Sequence, residues 1–301
     1  MKHLSRVLAA VDFSNPARSA FGYALALARR HGAELVAVQA VPAEEPFNRG
    51  GRQRLALKTS LEREARNAQV GFTYRVQHGD SAEIVLLHAR SLRPDVIVVG
   101  SRPRRGLARL RAGSVSERVV AGATVPVLLV PARLRPAAAG PFRHVAVAVG
   151  LMAGSNAAIE RALALASDTA DRITLLHVVP GFSAGVPPHL HRYGVADYQS
   201  HLVRDARREL QVAAVGRRPS RAAVHTRILR GDTTAELSRV VDSMGADLLI
   251  VGAPRRGVVA RALLGTVAAR LLQVIDVPVL AIPGGGRGTD QADDVPLPRA
   301  A

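Results

Sequence analysis

Cysteine and tryptophan are both absent from the 301 residues, and aromatic residues make up only 3%. Without thiols the chain has no disulfide framework and no thiolate metal site. With so few aromatics, its cores must be assembled from Ala, Val, Leu and Ile. Lysine is almost missing as well: of 41 basic residues only Lys2 and Lys58 are lysines, and the rest are arginines. No stretch approaches the roughly 20 apolar residues that cross a bilayer. No signal-peptide core precedes the first apolar run at residues 7–11. These absences lead to the expectation of a soluble, cytoplasmic protein without a membrane partner.

Hydrophobic residues reach 48%, a globular composition, and the length suits about two domains of ordinary size. The formal net charge is +17. Such a field attracts polyanions and anionic ligands. The arginines are scattered, however, and no nucleic-acid motif accompanies them. Nucleic acid is therefore allowed by the charge and disfavoured by the pattern.

An internal repeat organises the chain. Ala24-Leu25-Ala26-Leu27-Ala28 recurs 138 residues later as Ala162-Leu163-Ala164-Leu165-Ala166, and Val41-Pro42 recurs at the same shift as Val179-Pro180. Further on the shift becomes 152. Gly79-Asp80 recurs as Gly231-Asp232, Val99-Gly100 as Val251-Gly252, and Val125-Pro126-Val127-Leu128 as Val277-Pro278-Val279-Leu280. One insertion of 14 residues reconciles the two shifts, and residues 181–194, with Pro and Gly, are the natural place for it. The expected domains are 1–133 and 142–283. An Ala- and Pro-rich linker lies between them, and a Gly-rich acidic tail over 284–301 is expected to be disordered.

Within each half, short apolar runs alternate with longer amphipathic ones. Strands are expected at 7–11, 35–41, 72–77, 96–99 and 127–130, with helices near 16–30, 52–69, 81–91 and 114–121. The second half repeats the strands at 145–149, 173–179, 224–229, 248–251 and 279–282. Pro16 suits a first helical turn, and Asp80 with Glu83 reads as a variant capping box. Continuous apolar strands between helices predict a buried parallel sheet. The fold class is α/β, with two tandem doubly wound domains, each a five-stranded parallel sheet covered by helices on both faces. The last strands, short and apolar, would lie at sheet edges and tend to pair. They are predicted to join the halves as a pseudo-two-fold dimer within one chain. A homodimer of whole chains is left open.

In such a sheet, ligands bind beyond the carboxyl ends of the strands at the switch point. Special residues mark those ends. Asp12 closes the first strand. Gly100 closes the fourth and is followed by an arginine-rich loop with Arg102 and Arg104, running to Gly113-Ser114 at a helix start. A glycine admits close approach to the backbone. A helix N-terminus with a hydroxyl favours an anion, and arginines donate charge-assisted hydrogen bonds to phosphate. Each residue also has an ordinary reading: a turn glycine, a capping serine or aspartate, solvated arginines.

Together these residues resemble the universal stress protein family. Its nucleotide-binding members carry Gly, two residues, Gly, nine residues, then Gly-Ser or Gly-Thr after the fourth strand, and an Asp closing the first. Gly100, Gly113-Ser114, the run Val115-Ser116-Glu117-Arg118 and Asp12 match this pattern. The resemblance covers nearly the whole chain, once per half. It implies the adenine nucleotide alpha hydrolase-like fold, strand order 3-2-1-4-5, with ATP or a related adenine nucleotide in the crevice, accompanied by Mg²⁺. Adenine would meet Asp12 and Ala40. Ribose and phosphates would meet Gly100, Gly113, Ser114, Val115 and Ser116, with Arg102 and Arg104 adding charge. The middle glycine is replaced by Pro103, which has no N–H to offer. In the second half Gly252, Gly265, Thr266 and Val267 fit the outer elements, but Arg255 stands at the middle position beside Arg256, and Gly150 replaces the aspartate. That half is expected to be a degenerate site.

Catalysis is not expected, beyond at most the slow ATP hydrolysis that the resemblance implies. The chain has no Walker-type phosphate loop and no assignable nucleophile–base pair. His189 and His191 are read as solvated loop residues, and His88 and His177 as ordinary residues of the fold. The leading reading is a nucleotide-binding stress-response protein. A scaffold without nucleotide and a basic nucleic-acid binder are the alternatives.

Overall fold

The computed structural model describes residues 4–42, 50–101, 115–134, 142–150, 170–181, 195–215, 222–253, 270–271 and 274–283. The tail and nearly all of the expected insertion lie outside the described residues.

The first half contains β1 (Arg6–Ala10), α1 (Asn15–His31), β2 (Glu34–Val41), α2 (Gly51–Asn67), β3 (Phe72–His78), α3 (Ser81–Leu92), β4 (Val96–Ser101), α4 (Val115–Gly122) and β5 (Val127–Pro131). The second contributes β6 (His144–Ala148), β7 (Arg172–Pro180), α5 (Val195–Val215), β8 (Ala223–Gly231), α6 (Thr233–Ser243), β9 (Leu248–Ala253) and β10 (Val279–Pro283).

Helix α1 shows why these residues fold as they do. Ser14 caps it, its hydroxyl accepting from the Ala17 N–H, and Pro16 sits in the first turn. Ala17, Ala20, Phe21, Ala24 and Ala28 recur at helical spacing and are buried. Gly32 stops the helix in the left-handed region at φ 62°, and Arg29, Arg30 and His31 offset the dipole in the last turn. Helix α3 opens on Asp80, which accepts from the N–H groups of Ala82 and Glu83. Its repeat partner Asp232 caps α6 by accepting from Ala235.

All ten strands form one continuous sheet in the order β3-β2-β1-β4-β5-β10-β9-β6-β7-β8. Each half keeps the 3-2-1-4-5 order with parallel neighbours. The joint, β5 with β10, is antiparallel. At its centre Leu128 lies opposite Leu280, its own repeat equivalent, with Leu129 opposite Val279 and Val127 opposite Ala281. This is the isologous pairing of a two-fold interface. The two sheets are thus merged edge to edge rather than packed as separate bodies, and the exposed apolar edges expected from the sequence cover each other. Other contacts reinforce the joint. Tyr23 of α1 stacks on Phe142, with ring centroids 6.3 Å apart. Arg133 pairs with Asp276. On the first half's own side, the Ser19 hydroxyl donates to the Leu134 carbonyl at 2.7 Å.

Helices cover both faces. One face carries α1 and α2 over a core with Phe21, Leu35, Leu61 and Val98, continuous with Leu175 and Leu210 of the second half. The other carries α3 and α4 over Leu8, Ile97, Leu129 and Val119, continuous with Leu237, Leu249, Leu271 and Ile275. Full burial of each such side chain contributes roughly 1.5–3 kcal/mol. Because the halves meet antiparallel, their carboxyl ends point to opposite edges of the sheet. Any two crevices open away from each other.

Candidate functional site

Strands β1 and β4 are parallel neighbours. After β1 the chain turns into α1 on one face, while the helix following β4 lies on the other. This divergence leaves a crevice at the carboxyl ends of the two strands, with the end of β2 alongside.

Asp12 stands at that point, exposed to solvent. Its Oδ1 accepts from the Ser14 N–H at 2.7 Å. The capping of α1 is done by Ser14, so Asp12 is not the helix cap. Its carboxylate is held by one short local bond, and Oδ2 accepts no hydrogen bond among the described residues. Phe13 beside it is 56% exposed, an uncommon position for one of only six phenylalanines. Ala40, near the end of β2, lies opposite Gln77 and packs on the α3/α4 face.

Gly100 is closely approached by the protein's own backbone. It is a strand residue paired with Val130, not a turn. A Cβ there would lie 2.4 Å from the Pro16 carbonyl carbon and oxygen and 2.8 Å from the Ala17 nitrogen. The missing side chain lets the first turn of α1 rest on the end of β4. Its absence serves helix packing.

Val115 and Ser116 form the first turn of α4, Val115 exposed and Ser116 buried. The turn is anchored by a residue whose role sequence reasoning missed. Arg118 donates through both Nη1 and Nη2 to the Asp80 carboxylate, each at 2.8 Å. The guanidinium hydrogen bond, aided by the backbone N–H groups, holds the Asp80 carboxyl below its ordinary value. A signal was available: Arg118 and Asp80 both recur 152 residues later, as Arg270 and Asp232. Ser101, next to Gly100, was also passed over; it is buried to 3% exposure at the end of β4.

Arg102, Pro103, Arg104, Gly113 and Ser114 lie outside the described residues, as do Arg255, Arg256, Gly265, Thr266 and Val267, and also His189 and His191. Of the second crevice, the structure describes Gly150, exposed after β6, and Gly252 in β9, opposite Ile282. Among the described residues of that crevice, no carboxylate stands where Asp12 does. The neighbouring His177 is satisfied, its Nδ1 lying 2.8 Å from the Val149 carbonyl. His88 is buried in α3, and desolvation, helped by Arg75, pushes its pKa down. Among the described residues no group of three potential ligand side chains could hold a metal ion, and no helix is long and apolar enough to cross a membrane.

Known proteins share this organisation. A universal stress protein of Mycobacterium tuberculosis is 25% identical over 224 residues, covering 74% of this chain and 76% of its own. A universal stress protein of Thermus aquaticus is 36% identical over 132 residues, 41% of this chain and 96% of its own. In fold, the crystal structure of a universal stress protein from Archaeoglobus fulgidus matches 93% of this chain and 96% of its own, with TM-score 0.71 at 17% identity. The profile of the Universal stress protein family matches residues 3–131 and again 141–283. With both halves matched and the 3-2-1-4-5 sheet present twice, the chain belongs to the universal stress protein family.

Proposed function

We propose that the first half binds ATP or a related adenine nucleotide in the crevice beyond β1, β2 and β4, and that the protein acts in stress response through this binding. The observation that carries the reading is Asp12, an exposed carboxylate fixed by the 2.7 Å bond from Ser14 N–H at the point where the chain diverges to opposite faces. A carboxylate so held accepts a purine amino group or a ribose hydroxyl without having to be ordered on binding, so less entropy is lost. Ala40 would flank the base. Gly100, Val115 and Ser116 would line the ribose and phosphates, together with Gly113, Ser114, Arg102 and Arg104. Mg²⁺ would arrive on the phosphates. Their charge suits a helix N-terminus and a chain of net charge +17.

The second half, with Gly150 in place of the aspartate, is a degenerate site. At most it keeps an anion near Gly252, Arg255, Arg256, Gly265, Thr266 and Val267. The reading includes binding without catalytic turnover.

Equilibrium binding of labelled ATP to the wild type and to an Asp12→Ala, Ser114→Ala variant tests this. Saturable binding lost in the variant is the expected result. Binding that is unchanged removes the crevice as the site.

A further inference from the structure

Ser101 is the last residue of β4, and its Oγ is buried with no hydrogen-bond partner among the described residues. Buried hydroxyls are nearly always paired, because an unpaired one keeps the cost of desolvation without recovering it. Its direction follows from the strand. Ile97 and Val99 point into the core beneath α3 and α4, while Val98 points into the core beneath α1. The absent side chain of Gly100 would run into Pro16 of α1. Ser101 therefore points the other way, to the face where α4 begins. Across the ladder, Leu129 on the same face precedes the Val130–Pro131 partners of Gly100 and Ser101. The unpartnered hydroxyl thus lies at the carboxyl end of β4, on the face that α3 and α4 cover.

The geometry points to Ser101 as a specificity-determining residue whose hydroxyl donates to a phosphoryl oxygen of the bound nucleotide. This rests on the reading of the crevice as a nucleotide site. Among the described residues the hydroxyl has no acceptor. A phosphoryl oxygen supplies one, and the bond to a charged acceptor is a strong one. Pro103 has no N–H to give the ligand. Ser101, two residues earlier in the sequence, carries a hydroxyl donor. The site consequently selects for phosphorylated ligands over the bare nucleoside.

The test uses the nucleotide-free full chain, titrated with ATP and with adenosine, as wild type, Ser101→Ala and Asp12→Ala. Ser101→Ala is expected to weaken ATP roughly tenfold, to leave adenosine unchanged within about twofold, and to melt without ligand no lower than the wild type. Asp12→Ala is expected to weaken both ligands. ATP binding by Ser101→Ala equal to wild type, with Asp12→Ala still impaired, overturns the role of Ser101 and leaves the nucleotide site standing. A ligand-free Ser101→Ala that melts several degrees lower shows that the hydroxyl has an internal or water partner, and overturns it as well. If the wild type binds neither ligand, the nucleotide reading fails and takes this inference with it.

Discussion

Gly100→Ala separates a packing glycine from a ligand-binding one. The added methyl carbon would sit 2.4 Å from the Pro16 carbonyl carbon and oxygen and 2.8 Å from the Ala17 nitrogen. All three are backbone atoms in the first turn of α1, so no rotamer change relieves the contact. Either α1 moves away from β4 or the end of the strand does. Overpacking of this kind costs about 1–3 kcal/mol, partly offset by the roughly 0.4–1 kcal/mol that alanine gains over glycine by restricting the unfolded chain. With backbone as the obstacle the net should lie near 2 kcal/mol, or roughly 4–8 °C in Tm for a unit of this size. The assay is urea and thermal unfolding without nucleotide. Gly122→Ala is the control, because its new Cβ meets only the side chain of Leu86, with Cδ1 at 2.5 Å. That side chain can swing away, and alanine favours the helix, so the control should change little. If Gly100→Ala unfolds within about 0.5 kcal/mol of wild type, α1 is not seated as described and the account of Gly100 is wrong.

At the joint, Leu128→Ala and Leu280→Ala should each cost about 2–4 kcal/mol, and their double variant should be non-additive because the two residues face each other; additivity within about 0.3 kcal/mol would contradict the pairing. Arg118→Ala should destabilise by less than about 1 kcal/mol near neutrality, since the pair is well exposed. Asp80 is held below its ordinary value, so its contribution exists above the unfolded carboxyl range and fades as pH falls through the folded value. The gap between wild type and variant should therefore close in acid, and a gap that widens there contradicts the assignment. Desolvation holds both His88 and His144 below the ordinary histidine value. The unfolded chain then takes up protons first, and melting temperature should fall between pH 7.5 and about 5.5; a rise over that range would count against their burial.

The architecture was legible because it depends on period and repetition. Apolar runs of strand length gave all ten strands to within one or two residues at each end, and the short apolar character of the last strands pointed to the β5–β10 pairing. Ser14 and Asp80 sit before helices as capping chemistry requires. The site was less legible, because its meaning depends on contacts across the fold. Gly100 carries no mark that its empty Cβ position faces Pro16. Asp80 and Arg118 are 38 residues apart and become one unit only when α3 and α4 pack together. Ser101 reads as an ordinary strand-end serine until its burial is known. Arg133 and Asp276 belong to different halves, and no periodicity within one half links them.

A nucleotide site in the first half, with a degenerate second, is open to direct measurement. Calorimetric titration of nucleotide-free protein with ATP, at moderate salt with Mg²⁺, addresses it most directly. One site per chain, weakened by Asp12→Ala, is the expected result. No heat of binding, with no nucleotide released from the freshly purified and denatured protein, would contradict it, and would leave a scaffold that keeps the fold without the ligand.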